Sequence, residues 1–98
     1  MLPAVSNSCT LRVYAEVDGP VVALILVTHS RGGTDLSEIE LPFMLWQSMG
    51  TRAAASMVAR FYRCQHPDVF QQLGIVAIQR SITSILQLHQ VEFRRKQP

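Results

Sequence analysis

Residues 10–17, TLRVYAEV, alternate strictly between apolar and polar side chains. Leu11, Val13, Ala15 and Val17 share one face; Thr10, Arg12, Tyr14 and Glu16 share the other, which predicts a strand buried on one side. The DGP at 18–20 supplies turn chemistry, with Gly19 free to take positive φ. Residues 21–27, VVALILV, are apolar at every position, so a second strand covered on both faces is expected. The two strands form a β-hairpin. Val22, Leu24, Ile25 and Leu26 are then all buried, and Ile25→Asp should be severely destabilising.

Beyond 29–35, Ile39 and Leu41 alternate with Glu38 and Glu40, the pattern of a short edge strand with protective charges over 37–41. A competing reading takes Asp35 as a helix N-cap with Glu38 three residues on. Pro42 counts against it, because the residue before a proline avoids helical ψ. Pro42 instead opens a helix over about 42–64. Its apolar side, at spacings of three and four, is Phe43, Trp46, Gly50, Ala53, Met57, Phe61 and Cys64. Gly50 in mid-helix would cost ~1 kcal/mol against alanine.

QHPD at 65–68 interrupts the pattern, with His66 in an interhelix cap and Pro67 as the first residue of a second helix. That helix runs over about 67–90, along a row of Ile75, Ile78, Ile82, Ile85 and His89. Phe70, Leu73, Val76 and Ala77 broaden the row, and 86–98 fits either a fraying helix or an extended tail. The expected architecture is α+β, a single domain over 1–98. A hairpin or three-stranded antiparallel meander (10–41) precedes two long antiparallel helices packed on one sheet face, turned back by the short link.

Composition changes this picture in one respect. Hydrophobic residues are 48% and charged residues only 16% of the chain, too few to dress a small domain. Some apolar surface is therefore expected to be covered by another chain. The fully apolar middle strand makes the same demand, since two helices cover only one sheet face. Self-association as a symmetric homodimer is the expected answer. Its patch would use the small positions Gly50, Ala54 or Ala55 with Trp46 or Tyr62 nearby, so that Ala55→Arg weakens the dimer without unfolding the chain. Phe43 and Phe61 read as core.

The formal net charge is +2. Arg52, Arg60 and Arg63 fall roughly on one side of the first helix, and Arg94, Arg95 and Lys96 end the chain. Such a row suits phosphate contacts, which gives an alternative reading as a small nucleic-acid-binding regulator. No helix-turn-helix or RNA-binding aromatic signature accompanies it.

Reactive side chains crowd only into HSRGGTD, residues 29–35. The segment matches neither GxxxxGK nor GxGxxG. His29 and Ser30 are neighbours on an extended chain and point to opposite faces, so they cannot converge as a triad requires. The stretch reads as a connector with Arg31 and Asp35 in solvent. Replacing Arg31, Thr34 and Asp35 together with alanine should leave folding and partner binding nearly intact.

His29, His66 and His89 lie in three different elements, without zinc-like spacing. Cys64 reads as core packing at a helix end, and Cys9 and Cys64 make no redox or metal motif. No catalytic, cofactor-binding or metal-ligating residue is expected, and no cofactor. The opening MLPAVSNSC lacks signal-peptide features and the run 21–27 is far short of a membrane span, so a cytoplasmic protein without membrane contact is expected. The functional expectation is a non-enzymatic protein–protein interaction module. It would act as an adaptor or inhibitor occupying a partner protein's surface, in the style of small bacterial or phage-encoded proteins.

Overall fold

A two-residue strand, β1 (Ala4–Val5), pairs with the alternating segment, which forms β2 (Cys9–Asp18). The turn at 19–20, with Gly19 at φ 59°, leads into β3 (Val21–Ser30), and a second tight turn at 31–32 leads into β4 (Gly33–Pro42). The sheet is antiparallel throughout, in the order β1-β2-β3-β4. This computed structural model describes the backbone of residues 4–5 and 9–96, and the side chains of 9–69 and 71–90.

Register sorts the strands into two faces. Val13, Leu26 and Ser37 are cross-strand partners, as are Ala15, Leu24 and Ile39, and Val17, Val22 and Leu41. These rows make the inner face, where Leu11, Val13, Val22, Leu24, Leu26 and Leu41 are fully buried. The opposite rows are Arg12, Val27 and Leu36; Tyr14, Ile25 and Glu38; and Glu16, Ala23 and Glu40. Ile25 therefore lies on the outer face and is half-buried, contrary to the expectation that it joins Val22, Leu24 and Leu26 in the core. A run of seven apolar residues carries no phase, so only the pairing of the strand tells its two faces apart. The third strand is also longer than 37–41, because the hairpin turn takes only two residues of the HSRGGTD stretch.

Among the described residues four helices follow: α1 (Phe43–Met49), α2 (Thr51–Gln65), α3 (Pro67–Gln72) and α4 (Ile75–Lys96). Each of the two expected helices is broken once. Pro42 is an N-cap in extended conformation, and helix begins at Phe43, whose N–H donates to the Pro20 carbonyl 2.9 Å away. Gly50 ends α1 at φ 87° and ψ 160°, a region essentially reserved for glycine, so it is a hinge and not a mid-helix residue. Leu73 turns extended after α3, and its side chain is buried in the core. The Gly74 carbonyl then accepts the first hydrogen bonds of α4. His66 caps the end of α2 and the start of α3, and Pro67 is the first residue of α3, both as expected.

The backbone stays helical through Lys96, which decides between helix and extended tail for 86–96. The side chains of Phe70, Arg94, Arg95 and Lys96 fall outside the described set. α4 packs on β2 and α2, and one core joins the inner face to Trp46, Ala54, Ala55, Val58, Ala59, Tyr62, Leu73, Ile78, Ile82, Ile85 and Leu86. Among the described residues no helix is long and apolar enough to cross a membrane.

Candidate interaction surfaces

The small-residue positions of α2 point inward. Ala54 and Ala55 are fully buried, and Trp46 and Tyr62 are 3% and 1% exposed. Small side chains let α2 approach its neighbours closely, so these interface candidates are used up inside the chain's own core. Gly50 is exposed, but as the hinge between α1 and α2. A guanidinium at position 55 would have to enter the core, so Ala55→Arg is an unfolding change and not an interface probe. Trp46 Nε1–H donates to Thr51 Oγ1 at 2.9 Å, tying α1 to α2 across the hinge. Tyr62 shares a side-chain hydrogen bond with Thr28, and burial pushes its phenol above the ordinary range.

What α2 leaves outside is the stripe that its three-and-four spacing suggested as the buried side. Ala53, Phe61 and Cys64 are exposed and Met57 is half-buried. Phe61, expected in the core, is 52% exposed, and Cys64 is a free exposed thiol instead of core packing. Arg60 lies beside this stripe, with Arg52 and Arg63 about a quarter-turn further round; all three are exposed.

A second uncovered surface is the outer face of the sheet. Its middle column is Val21, Ala23, Ile25 and Val27 of β3, of which Ala23 is buried and the other three are half-buried. Tyr14 flanks it on β2 at 46% exposure, and Leu36 flanks it on β4 at 68%. Carboxylates stand on both sides: Glu16 and Asp18 on β2, Glu38 and Glu40 on β4, with Arg12 as the one cation of the three strands.

Charge divides between the two layers. The strands and their turns hold two arginines, Arg12 and Arg31, against five carboxylates: Glu16, Asp18, Asp35, Glu38 and Glu40. The helices hold Arg52, Arg60, Arg63, Arg80, Arg94, Arg95 and Lys96 against Asp68 and Glu92. The sheet side is acidic and the helical side basic.

Three other constellations bear on chemistry. The HSRGGTD stretch holds the β3–β4 hairpin turn at 31–32 and the strand ends on either side, closed by a 2.9 Å hydrogen bond between His29 Nδ1 and Thr34 Oγ1 and by the Gly32 N–H donating to Ser30 Oγ at 3.3 Å. Arg31 and Asp35 are exposed, as a connector requires. Sequence spacing gave no sign of the second group. Ser37 Oγ lies 2.6 Å from His66 Nε2, and the His66 ring packs on Tyr62 with centroids 4.8 Å apart. A serine beside a histidine begins a nucleophilic site, which needs in addition a group orienting the imidazole and donors for an oxyanion. The same contact is a strut that fastens edge strand β4 to the α2–α3 elbow. The third is a polar cleft of about 400 Å³ between the sheet end and α3, lined among others by Cys9, Thr28, Asp35 and Asp68.

Among the described residues no three His, Cys, Asp or Glu side chains are grouped so as to hold a metal ion. Compared with known proteins, the chain matches no family model, no curated protein and no solved structure.

Proposed function

We propose that this chain is a non-enzymatic protein-binding module whose docking surface is the outer face of its sheet. The observation that carries the reading is Leu36, 68% exposed in mid-strand beside the apolar column of β3. A strand residue of that size, beside Val27 and diagonal to Ile25, with Tyr14 on the far side of the column, is an apolar centre within an acidic rim. Apolar centres with polar rims are how protein interfaces are built. The fitting partner is a protein surface with an apolar ridge and basic flanks. Adaptor and inhibitor roles both follow from occupying such a surface, and the reading takes α2 and α4 as an antiparallel pair backing the sheet.

The test is a Tyr14→Ser/Leu36→Ser double variant. Both side chains are substantially exposed, so its melting should stay close to that of the wild type. Proteins co-purifying with the tagged wild type, further copies of the chain included, should be lost from the variant. Retention of the same set by the folded variant would refute the reading.

The nucleic-acid alternative rests on the gathering of basic residues on the helical side. It predicts a shift of duplex DNA or RNA that weakens steeply with salt and is lost in Arg52→Ala/Arg60→Ala.

A further inference from the structure

We infer that the occupant of the open sheet face is the outer stripe of α2 from a second copy of this chain, in a head-to-tail contact. The inference rests on the protein-binding reading of the sheet face and specifies its partner.

Shape supports it first. On the outer face the apolar column of β3 is flanked on either side by the carboxylate-bearing strands β2 and β4. With strands ~4.8 Å apart, the trough from β2 to β4 is about 10 Å across, the width of one helix. The exposed stripe Ala53, Phe61 and Cys64 covers about 16 Å along α2, and the column from Val21 to Val27 about 20 Å, so the helix stripe fits within the trough.

Charge supports it independently. The trough is bordered by Glu16, Glu38 and Glu40, and the α2 stripe is bordered on one side by Arg60, while Arg52 and Arg63 lie about a third of a turn from its centre. A symmetric pairing of two sheet faces would instead bring two acidic rims together, with only Arg12 on each to offset them. Like-charged rims disfavour that arrangement, and opposite ones favour helix on sheet. Each copy presents both surfaces, on opposite layers, so the contact is heterologous. It propagates into a chain of copies unless the rotation between them closes a ring.

Light scattering on two variants tests this. One is Tyr14→Ser/Leu36→Ser on the sheet; the other is Arg60→Glu/Phe61→Glu on the helix, and all four positions are exposed. The wild-type mass should grow with concentration beyond two chains of 11.0 kDa and fall back as salt is raised. Each variant alone should be a monomer. Mixed in equal amounts they should form a complex of two chains and no more, because one intact sheet face and one intact helix stripe remain. If the helix variant alone still dimerises while the sheet variant does not, sheets pair with sheets. The head-to-tail contact is then wrong, and the protein-binding reading of the face survives. A wild type that stays monomeric at every concentration also overturns the inference, leaving the co-purification experiment to judge the reading on which it rests.

Discussion

Gly50 and Ile25 show at the residue scale what a periodic pattern does not encode. As a mid-helix glycine, Gly50 would be improved by alanine. At φ 87° and ψ 160° the sign reverses, because an L-residue there is strained. No atom lies within 4 Å of where a Cβ would stand, so the cost is one of backbone conformation alone. Gly50→Ala should therefore lower stability by about 1–3 kcal/mol in urea denaturation, where a continuous helix would give a gain of ~1 kcal/mol. Leu24 and Ile25 form a second pair of opposites. Leu24 is fully buried, so Leu24→Asp places an unpaired charge in the core, at a cost comparable to the stability of the whole domain. Ile25→Asp keeps its charge at the solvent side, opposite Glu38, and should lose only about 1–2 kcal/mol. An Ile25→Asp protein as unfolded as Leu24→Asp would show that the outer face is covered within the single chain.

At the scale of elements, legibility followed the length and phase of each pattern. The strict alternation of β2, and that of Ile39 and Leu41, fixed both the strands and their buried faces. The seven apolar residues of β3 announced a strand but not its orientation, and β1, with two residues, is too short to have a period. In α2 the stripe of larger residues was visible, yet it faces outward. The Ala54, Ala55, Val58, Ala59 and Tyr62 side is the one that packs closely. The breaks at Gly50 and at Leu73–Gly74 were invisible because periodicity carries across them. The strut between β4 and the α2–α3 elbow joins residues 29 apart in sequence, which no local pattern could reveal. Ser37→Ala removes its hydrogen bond and should cost about 1 kcal/mol in denaturant midpoint, while a nucleophilic role for Ser37 would show instead as labelling by a serine-directed phosphonate. Tyr62 and Cys9, beneath the same elbow, are both pushed up by burial. Above their ordinary range the unfolded chain has lost protons that the folded chain still holds. Stability is therefore level at neutral pH and falls as pH rises through about 10. Tyr62→Phe should flatten that alkaline decline, as read from denaturant midpoints across pH.

On the scale of the whole molecule, the low charge content led to the expectation of apolar surface left for another chain, and it gave no sign of where the exposed apolar side chains lie. The candidates Trp46, Ala54, Ala55 and Tyr62 fill the chain's own core, and among the described residues the large exposed apolar groups include Tyr14 and Leu36 on the sheet and Met44, Phe61, Val76 and Leu88 on the helices. The separation of acidic strands from basic helices was present in the sequence all along. It acquires meaning only when the layers are seen to face opposite ways. Hydroxyl-radical footprinting of the wild type, dilute and concentrated, tests this account most directly. Tyr14, Leu36 and Phe61 should react readily in dilute protein and become protected several-fold together on concentration. Met44, 81% exposed and outside both surfaces, should stay reactive throughout. Protection of these three already in the isolated chain, or undiminished reactivity at high concentration, would contradict the account.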